Sequence, residues 1–209
     1  MSGVFITFEG GDGVGKSTQL QLLAGFVESL GREVIVTREP GGTVLGAEIR
    51  NIVLHHRGEI APRAEALLYA ADRAHHVETV VRPALERGAV VIQDRYFDSS
   101  IAYQGAGRVL DGEEVREISM WATGSLIPDL TVLLDLDAQQ ARVRLDAEAK
   151  EFDRLESEQS DFHERVQRAY RDLALLDPAR WLVLDASQTI DNIAKTIRER
   201  VEPMVSDPR

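Results

Sequence analysis

Short runs of apolar residues alternate with stretches of helical spacing along the whole chain. The runs predict strands at residues 4–8, 33–37, 89–93, 130–135 and 181–184, since each has the length and the aliphatic content of a buried strand. Between the runs, apolar side chains recur three and four residues apart, which is typical of amphipathic helices. Strands separated by helices predict an α/β fold with a five-stranded, mainly parallel sheet covered by helices on both faces.

A glycine-rich motif follows the first predicted strand. It has the form G-x-x-x-x-G-K-[ST] of a phosphate-binding loop, and a helical pattern follows it and stops at Gly31. Backbone N–H groups of such a loop bind phosphate oxygens, its lysine reaches the β- and γ-phosphates, and its serine hydroxyl ligates Mg²⁺. The strand–loop–helix context favours this function over a plain turn with a surface lysine. The predicted nucleotide-binding residues are Gly10, Gly11, Asp12, Gly13, Val14, Gly15, Lys16, Ser17 and Thr18.

Charged residues follow two other predicted strands at the point where each strand ends. Ligands of parallel sheets bind beyond the carboxyl ends of the strands, so these residues should converge on the phosphate loop. Arg38 is either an anion contact or an ordinary surface charge. Asp94 is suited to organise Mg²⁺ and Arg95 to bind a phosphate, although an Asp–Arg pair can also cap a loop. The hydroxyls and the amide of residues 98–105 are suited to line a polar substrate pocket.

The longest helical pattern runs from Pro62 towards residue 88, and Pro83 should kink or interrupt it. Tyr69 and Arg73 are four residues apart and therefore share one helix face. A ring beside a guanidinium suits a nucleobase, but a half-buried tyrosine with an unrelated surface arginine explains the spacing more simply. His75 and His76 are expected on a solvated face or a contact surface, not at a metal.

Composition limits the partners and the location of the protein. The 209 residues suit a single domain, residues 1–209, and the net charge of −11 disfavours binding to nucleic acid or to an anionic membrane. The chain has no cysteine, and no apolar stretch is long enough for a membrane span, so we expect a cytoplasmic protein. Residues 139–171 form a charged helical hairpin, which is either a solvated face or a mobile lid over the phosphate site.

Taken together, the motifs resemble those of bacterial thymidylate kinases over nearly the whole chain. The run of residues 38–43, Arg-Glu-Pro-Gly-Gly-Thr, is highly specific to that family, whereas the phosphate loop is not. The resemblance implies a three-layer P-loop kinase fold with a helical lid at about residues 142–156. It also implies that the protein transfers the γ-phosphoryl group of ATP to dTMP, giving dTDP and ADP for dTTP synthesis. The matching stretches are residues 8–18, 37–43, 67–73, 94–96, 99–107, 128–130, 153–156 and 185–187.

The resemblance also implies roles for individual residues. Arg38 and Arg95 would hold the dTMP phosphate, and Asp12 would accept the 3′-OH of the sugar. Tyr69 would stack on thymine and Arg73 would bond a thymine carbonyl. The base and sugar pocket would also contain Ser100, Tyr103 and Gln104, and the adenine would lie near Ala186. The residues that act in catalysis would be Lys16, Asp94 and Arg95. Mg²⁺ would be held by Ser17 and Asp94. Relatives are typically homodimers, which makes the apolar region of residues 67–85 a candidate interface.

The sequence departs from some relatives in one catalytic feature. Those relatives carry an arginine inside the phosphate loop, but the variable loop positions here hold Gly, Asp, Gly and Val. The resemblance therefore implies the subgroup that supplies this cation from the lid, with Arg154 as the first candidate and Arg144 and Lys150 as alternatives. Two other functions stay open: another nucleoside or nucleoside-monophosphate kinase, and a partner-driven ATPase that needs no dTMP. A guanine-specific switch would need an Asn-Lys-x-Asp motif, which the sequence lacks.

Overall fold

A parallel sheet lies at the centre of the structure, a computed structural model that describes residues 3–147 and 153–206. Every pair of neighbouring strands in it runs parallel, in the order β2-β3-β1-β4-β5. All five predicted strands are confirmed, and their bounds differ from the predicted ones by at most one residue at either end. The strands are β1 (Val4–Glu9), β2 (Val34–Arg38), β3 (Val90–Asp94), β4 (Leu130–Asp135) and β5 (Trp181–Asp185).

Helices connect the strands, as the apolar spacing predicts. The first two strands are joined by α1. The connection from β2 to β3 contains a π-helical segment at Val77–Val81, and the connection from β3 to β4 contains a second one at Ile101–Gly107. The helices are α1 (Lys16–Ser29), α2 (Val44–His55), α3 (Pro62–His76), α4 (Arg82–Glu86), α5 (Phe97–Ser100), α6 (Gly112–Thr123), α7 (Ala138–Ala147), α8 (Ser160–Leu176) and α9 (Ile190–Ser206).

Local sequence signals determine several helix ends. Thr43 caps α2, because its Oγ1 accepts a hydrogen bond of 2.9 Å from the Gly46 N–H. Helix α3 begins at Pro62, a residue that loses nothing at the first helical position since its missing N–H would have no partner there. The α-helical hydrogen-bond pattern changes before Pro83, in the π-helical segment Val77–Val81, but the chain stays helical through this segment into α4, which contains Pro83.

The alternation of side chains along β1 divides the core into two layers. Val4, Ile6 and Phe8 pack on one face of the sheet with apolar residues of α1 and α9. Phe5 points to the opposite face, where Val77 and the other apolar residues of the region before β3 cover it. The sheet is therefore covered on both faces, which confirms the three-layer α/β prediction. Among the described residues, no helix combines the length and the apolar content that crossing a membrane requires.

Candidate active site

The phosphate loop connects β1 to α1 at the carboxyl end of the sheet, as its sequence context predicts. Gly10 and Gly15 have φ angles of 129° and 95°, a region that glycine adopts without strain. A Cβ on Gly10 would lie 2.5 Å from the Leu134 carbonyl oxygen, so the loop also needs glycine there for space. Lys16 Nζ donates to the carbonyl oxygens of Gly10 at 3.2 Å and Gly11 at 2.7 Å. Its ammonium therefore rests inside the loop.

A cavity in front of this loop, here called the phosphate cavity, brings together several of the predicted residues. It is lined by residues 12–18 together with Arg38, Asp94 and Arg95. Arg38 is exposed and, within the described part of the chain, has no ion-pair partner. One carboxylate oxygen of Asp94 is buried and accepts no hydrogen bond from the described residues, and Ser17 lines the same cavity. A hard cation with oxygen ligands fits this pair.

A second cavity, here called the acceptor cavity, shares Asp12 and Arg95 with the first. Arg95 Nη2 donates to Asp12 Oδ1 at 2.6 Å and to the Tyr103 hydroxyl at 3.1 Å. Burial raises the pKa of Asp12, but the positive charges of Arg95 and Lys16 outweigh it and lower the pKa overall. The acceptor cavity is lined by every residue predicted for the base and sugar pocket: Asp12, Tyr69, Arg73, Ser100, Tyr103 and Gln104.

Arg73 is buried, with 1 % of its surface exposed, so the simpler interpretation of it as a surface arginine is wrong. Its Nε donates to Glu39 at 2.7 Å and its Nη1 to the Ser119 hydroxyl at 3.3 Å. Its Nη2 donates to the Tyr96 carbonyl oxygen and to the Ser100 hydroxyl. A guanidinium has five N–H donors, so one N–H on Nη1 remains for a molecule in the acceptor cavity.

His76 is also buried, which contradicts the expected solvated position. Its Nδ1 lies 2.9 Å from a Glu39 oxygen and its Nε2 lies 2.7 Å from the Thr37 hydroxyl. The imidazole thus connects α3 to the end of β2 through the same carboxylate that orients Arg73. The only sequence signal for this role is the helical spacing, which places residue 76 three positions after Arg73 on the inward side of the helix.

Glu9 is a site residue that the sequence analysis missed. It lies at the end of β1, and its carboxylate accepts hydrogen bonds from the Tyr96 N–H at 2.8 Å, Ser99 Oγ at 2.6 Å and the Tyr170 hydroxyl at 2.9 Å. Arg95, the residue before Tyr96, has a φ angle of 64°, which strains a residue with a Cβ. The hydrogen bond that the Tyr96 N–H donates to Glu9 helps to hold the Arg95 backbone in this conformation.

The protonation of Glu9 should affect stability. Burial and the nearby charge of Asp98 raise its pKa from 4.5 to about 7. The stabilisation that this group contributes is therefore complete below pH 4.5 and is lost as the pH rises through about 7. Relative to the Glu9→Gln variant, which has no such proton, we expect wild type to lose on the order of 2 kcal/mol of unfolding free energy between about pH 5 and pH 8. Denaturant unfolding of both proteins across this range measures the difference, and a constant difference would contradict the raised pKa.

Some predicted residues lie away from both cavities. The Arg154 guanidinium pairs with Glu65, and its Nε donates to the Val53 carbonyl oxygen at 2.8 Å. Arg144 Nη2 donates to the Ala186 carbonyl oxygen at 3.0 Å, so α7 contacts the turn predicted to lie near the adenine. Lys150 lies outside the described residues. The catalytic role of a lid cation stays a prediction, and in this structure Arg154 would have to leave its two partners to reach the phosphate cavity.

The sequence is similar to one family and to proteins from several bacteria. The family model described as thymidylate kinase matches residues 8–197. Thymidylate kinase from Clavibacter michiganensis subsp. michiganensis is 68% identical, covering 99% of this chain and 98% of the relative. The one from Leifsonia xyli subsp. xyli is 66% identical, covering 97% of this chain and 96% of the relative. The crystal structure of thymidylate kinase from Ehrlichia chaffeensis superposes with a TM-score of 0.79 at 29% identity, covering 96% of this chain and 99% of that one.

Proposed function

Because the chain belongs to the thymidylate kinase family, we propose that it transfers the γ-phosphoryl group of ATP to the phosphate of dTMP, giving dTDP and ADP. The observation that supports this most directly is the meeting of the phosphate cavity and the acceptor cavity at Asp12 and Arg95. Two nucleotides bound in these cavities would present their phosphates to the same pair of side chains. Such an arrangement suits direct transfer between them, because positioning supplies much of the catalysis of phosphoryl transfer.

ATP would bind with its phosphates in the phosphate loop, Gly10 to Thr18, and its adenine near Ala186. The Lys16 ammonium would leave the loop carbonyl oxygens for the β- and γ-phosphates. Ser17 and Asp94 would hold Mg²⁺, which neutralises charge on the phosphate oxygens when it is bound. The buried Asp94 oxygen that accepts no hydrogen bond from the described residues supports this assignment.

dTMP would bind in the acceptor cavity with its phosphate towards Arg38 and Arg95. One of its phosphate oxygens would attack the γ-phosphorus of ATP while the bond to the β-phosphate oxygen breaks. Asp12 carries a lowered pKa, which suits an acceptor for the sugar 3′-OH. The base would lie between Tyr69 and Arg73, with Ser100, Tyr103 and Gln104 completing the pocket.

An assay of ADP release tests this function against the alternatives. We expect ATP turnover to depend on dTMP and to be much slower with CMP or AMP, because the acceptor cavity recognises the base through fixed polar groups. ATP hydrolysis at the same rate without any monophosphate would indicate the partner-driven ATPase. Preferred turnover of CMP or AMP would indicate a different nucleoside-monophosphate kinase.

We also propose that the protein is a homodimer. The candidate interface that the resemblance implies, residues 67–85, is too broad. It includes three residues that are buried in the core of the chain: Val77, Val81 and Ala84. Exposed apolar side chains that suit a two-fold interface lie on the neighbouring helices α2 and α3, namely Val44, Leu45, Ile52 and Leu67. The mass in solution at micromolar concentration measures the assembly state, and a fully active monomer would contradict the proposal. The cytoplasmic location and the lack of affinity for nucleic acid or membrane stay predictions from composition.

A further inference from the structure

Glu65 is a buried carboxylate next to the acceptor cavity, and the mechanism above does not use it. It is 0% exposed and lies on α3, four residues before Tyr69 and eight before Arg73. At this spacing the three side chains occupy one face of the helix. Arg108 and Arg154 both pair with the Glu65 carboxylate. The third donor to it is the Gln104 side chain, whose Nε2 lies 2.9 Å from Glu65 Oε1.

This contact determines which end of the Gln104 amide faces the acceptor cavity. A carboxylate that already pairs with two arginines accepts hydrogen bonds, so the amide group that faces it must be the NH₂ donor. The carbonyl oxygen is then the end of the amide left for the cavity that Gln104 lines. Within the described ranges, no donor from the protein binds that oxygen. The orientation follows from the chemistry of the partner, because an amide oxygen facing Glu65 would repel the carboxylate.

Arg73 completes a polar pattern on the same wall. One N–H of its Nη1 has no partner among the four hydrogen bonds of the guanidinium. Arg73 therefore offers one donor to the cavity and Gln104 offers one acceptor. A thymine edge presents the complementary pair, a carbonyl oxygen at C4 and an N–H at position 3. Cytosine presents the reverse pair, an amino group at C4 and an acceptor nitrogen at position 3.

We propose that Glu65 is a specificity-determining residue, which acts by holding the Gln104 amide with its oxygen towards the base. This inference rests on the proposed function, since it assumes a pyrimidine in the acceptor cavity. Glu65 touches neither substrate; it is a positioning residue. Without it the Gln104 amide can rotate by half a turn and present its NH₂ group to the position-3 nitrogen of cytosine, which removes one of the two mismatches that exclude that base and leaves the one at Arg73.

The test compares kcat/KM for dTMP, dUMP and dCMP in wild type and in Glu65→Gln. The glutamine keeps the shape of the side chain but can either donate to Gln104 or accept from it, so both amide orientations become available. We expect the preference for dTMP over dCMP to fall by at least about tenfold. The preference for dTMP over dUMP should stay unchanged, because uracil and thymine present the same edge at C4 and position 3.

The matched control is Arg108→Gln, which removes another partner of Glu65 without touching Gln104. We expect this variant to keep the wild-type preference for dTMP over dCMP. An equal loss of preference in the control would overturn the proposal, since loosening of the pocket would then explain both results. An unchanged preference in Glu65→Gln would overturn it as well.

A second variant covers failure of Glu65→Gln to fold. Glu65→Asp keeps the negative charge for the arginines but withdraws the carboxylate by one methylene from Gln104, and the same loss of preference is expected. Retained preference in a folded Glu65→Asp protein overturns the proposal. The wild-type control separates this result from failure of the proposed function, because an enzyme without dTMP activity would disprove the function itself.

Discussion

Replacing Lys16 by alanine is expected to lower kcat by about 10²–10³-fold, while the protein stays folded. The Lys16 ammonium already lies inside the phosphate loop, 2.7 Å from the Gly11 carbonyl oxygen, so only a short movement brings it to the phosphates of ATP. There it would stabilise the charge that moves onto the β–γ bridging oxygen as the γ-phosphoryl group leaves. The alanine variant keeps the glycines and the helix N-terminus, so ATP binding should suffer less than turnover.

Steady-state kinetics with ATP and dTMP measure this effect, together with the thermal unfolding of the variant. Lys195→Ala is a matched control: Lys195 is exposed on α9, and it pairs only loosely with Glu199 at 3.8 Å. We expect that control to keep wild-type turnover. Turnover near the wild-type value in a folded Lys16→Ala protein would disprove the assignment of the phosphate loop.

Replacing Arg154 by alanine is expected to lower kcat by about 10³-fold with little change in the KM for ATP. The phosphate loop contains no arginine, and Arg38 and Arg95 are assigned to the acceptor phosphate. A cation from the lid would bind mainly in the closed transition state, which is why turnover should fall more than ATP affinity. In this structure Arg154 pairs with Glu65, so we expect closure to exchange that partner for the γ-phosphoryl oxygens.

Arg154→Ala also breaks the ion pair between Arg154 and Glu65, and the Arg108→Gln variant measures the effect of losing an ion pair with Glu65 alone. Arg108 pairs with the same carboxylate but belongs to the turn after the second π-helical segment, outside the lid. Equal losses of kcat in Arg154→Ala and Arg108→Gln would assign the effect to Glu65 and not to a catalytic cation. If Arg154→Ala stays active and Arg144→Ala or Lys150→Ala does not, the role belongs to that residue. Full activity in all three would disprove the lid-cation hypothesis.

The sequence predicted the strands and the polar residues at their ends because both leave local signals. Apolar runs such as residues 130–135 have few alternatives to a buried strand, and parallel strands bring Arg38, Asp94 and the phosphate loop to one edge of the sheet. The helix starts at Thr43 and Pro62 follow from the same kind of local chemistry.

The missed residues are those whose role depends on contacts distant in sequence. Glu9 reads as part of the loop motif, and its function appears only when Tyr170, 161 residues away, lies against it. His76 and Glu65 look like ordinary polar residues of a charged helix, because a polar side chain on the inward face has no distinctive spacing. Burying such groups costs free energy unless they form hydrogen bonds or ion pairs, and the groups that bind them here come from other elements of the fold.

The single face of α3 that carries Glu65, Tyr69 and Arg73 has a consequence for insertions, deletions and chimaeras. Each residue turns an α-helix by about 100°, so deleting one residue between positions 65 and 73 would point the orienting carboxylate and the guanidinium in different directions. A chimaera designed to take on the base preference of a relative should therefore receive α3 and the segment Ile101–Gly107 together from that relative.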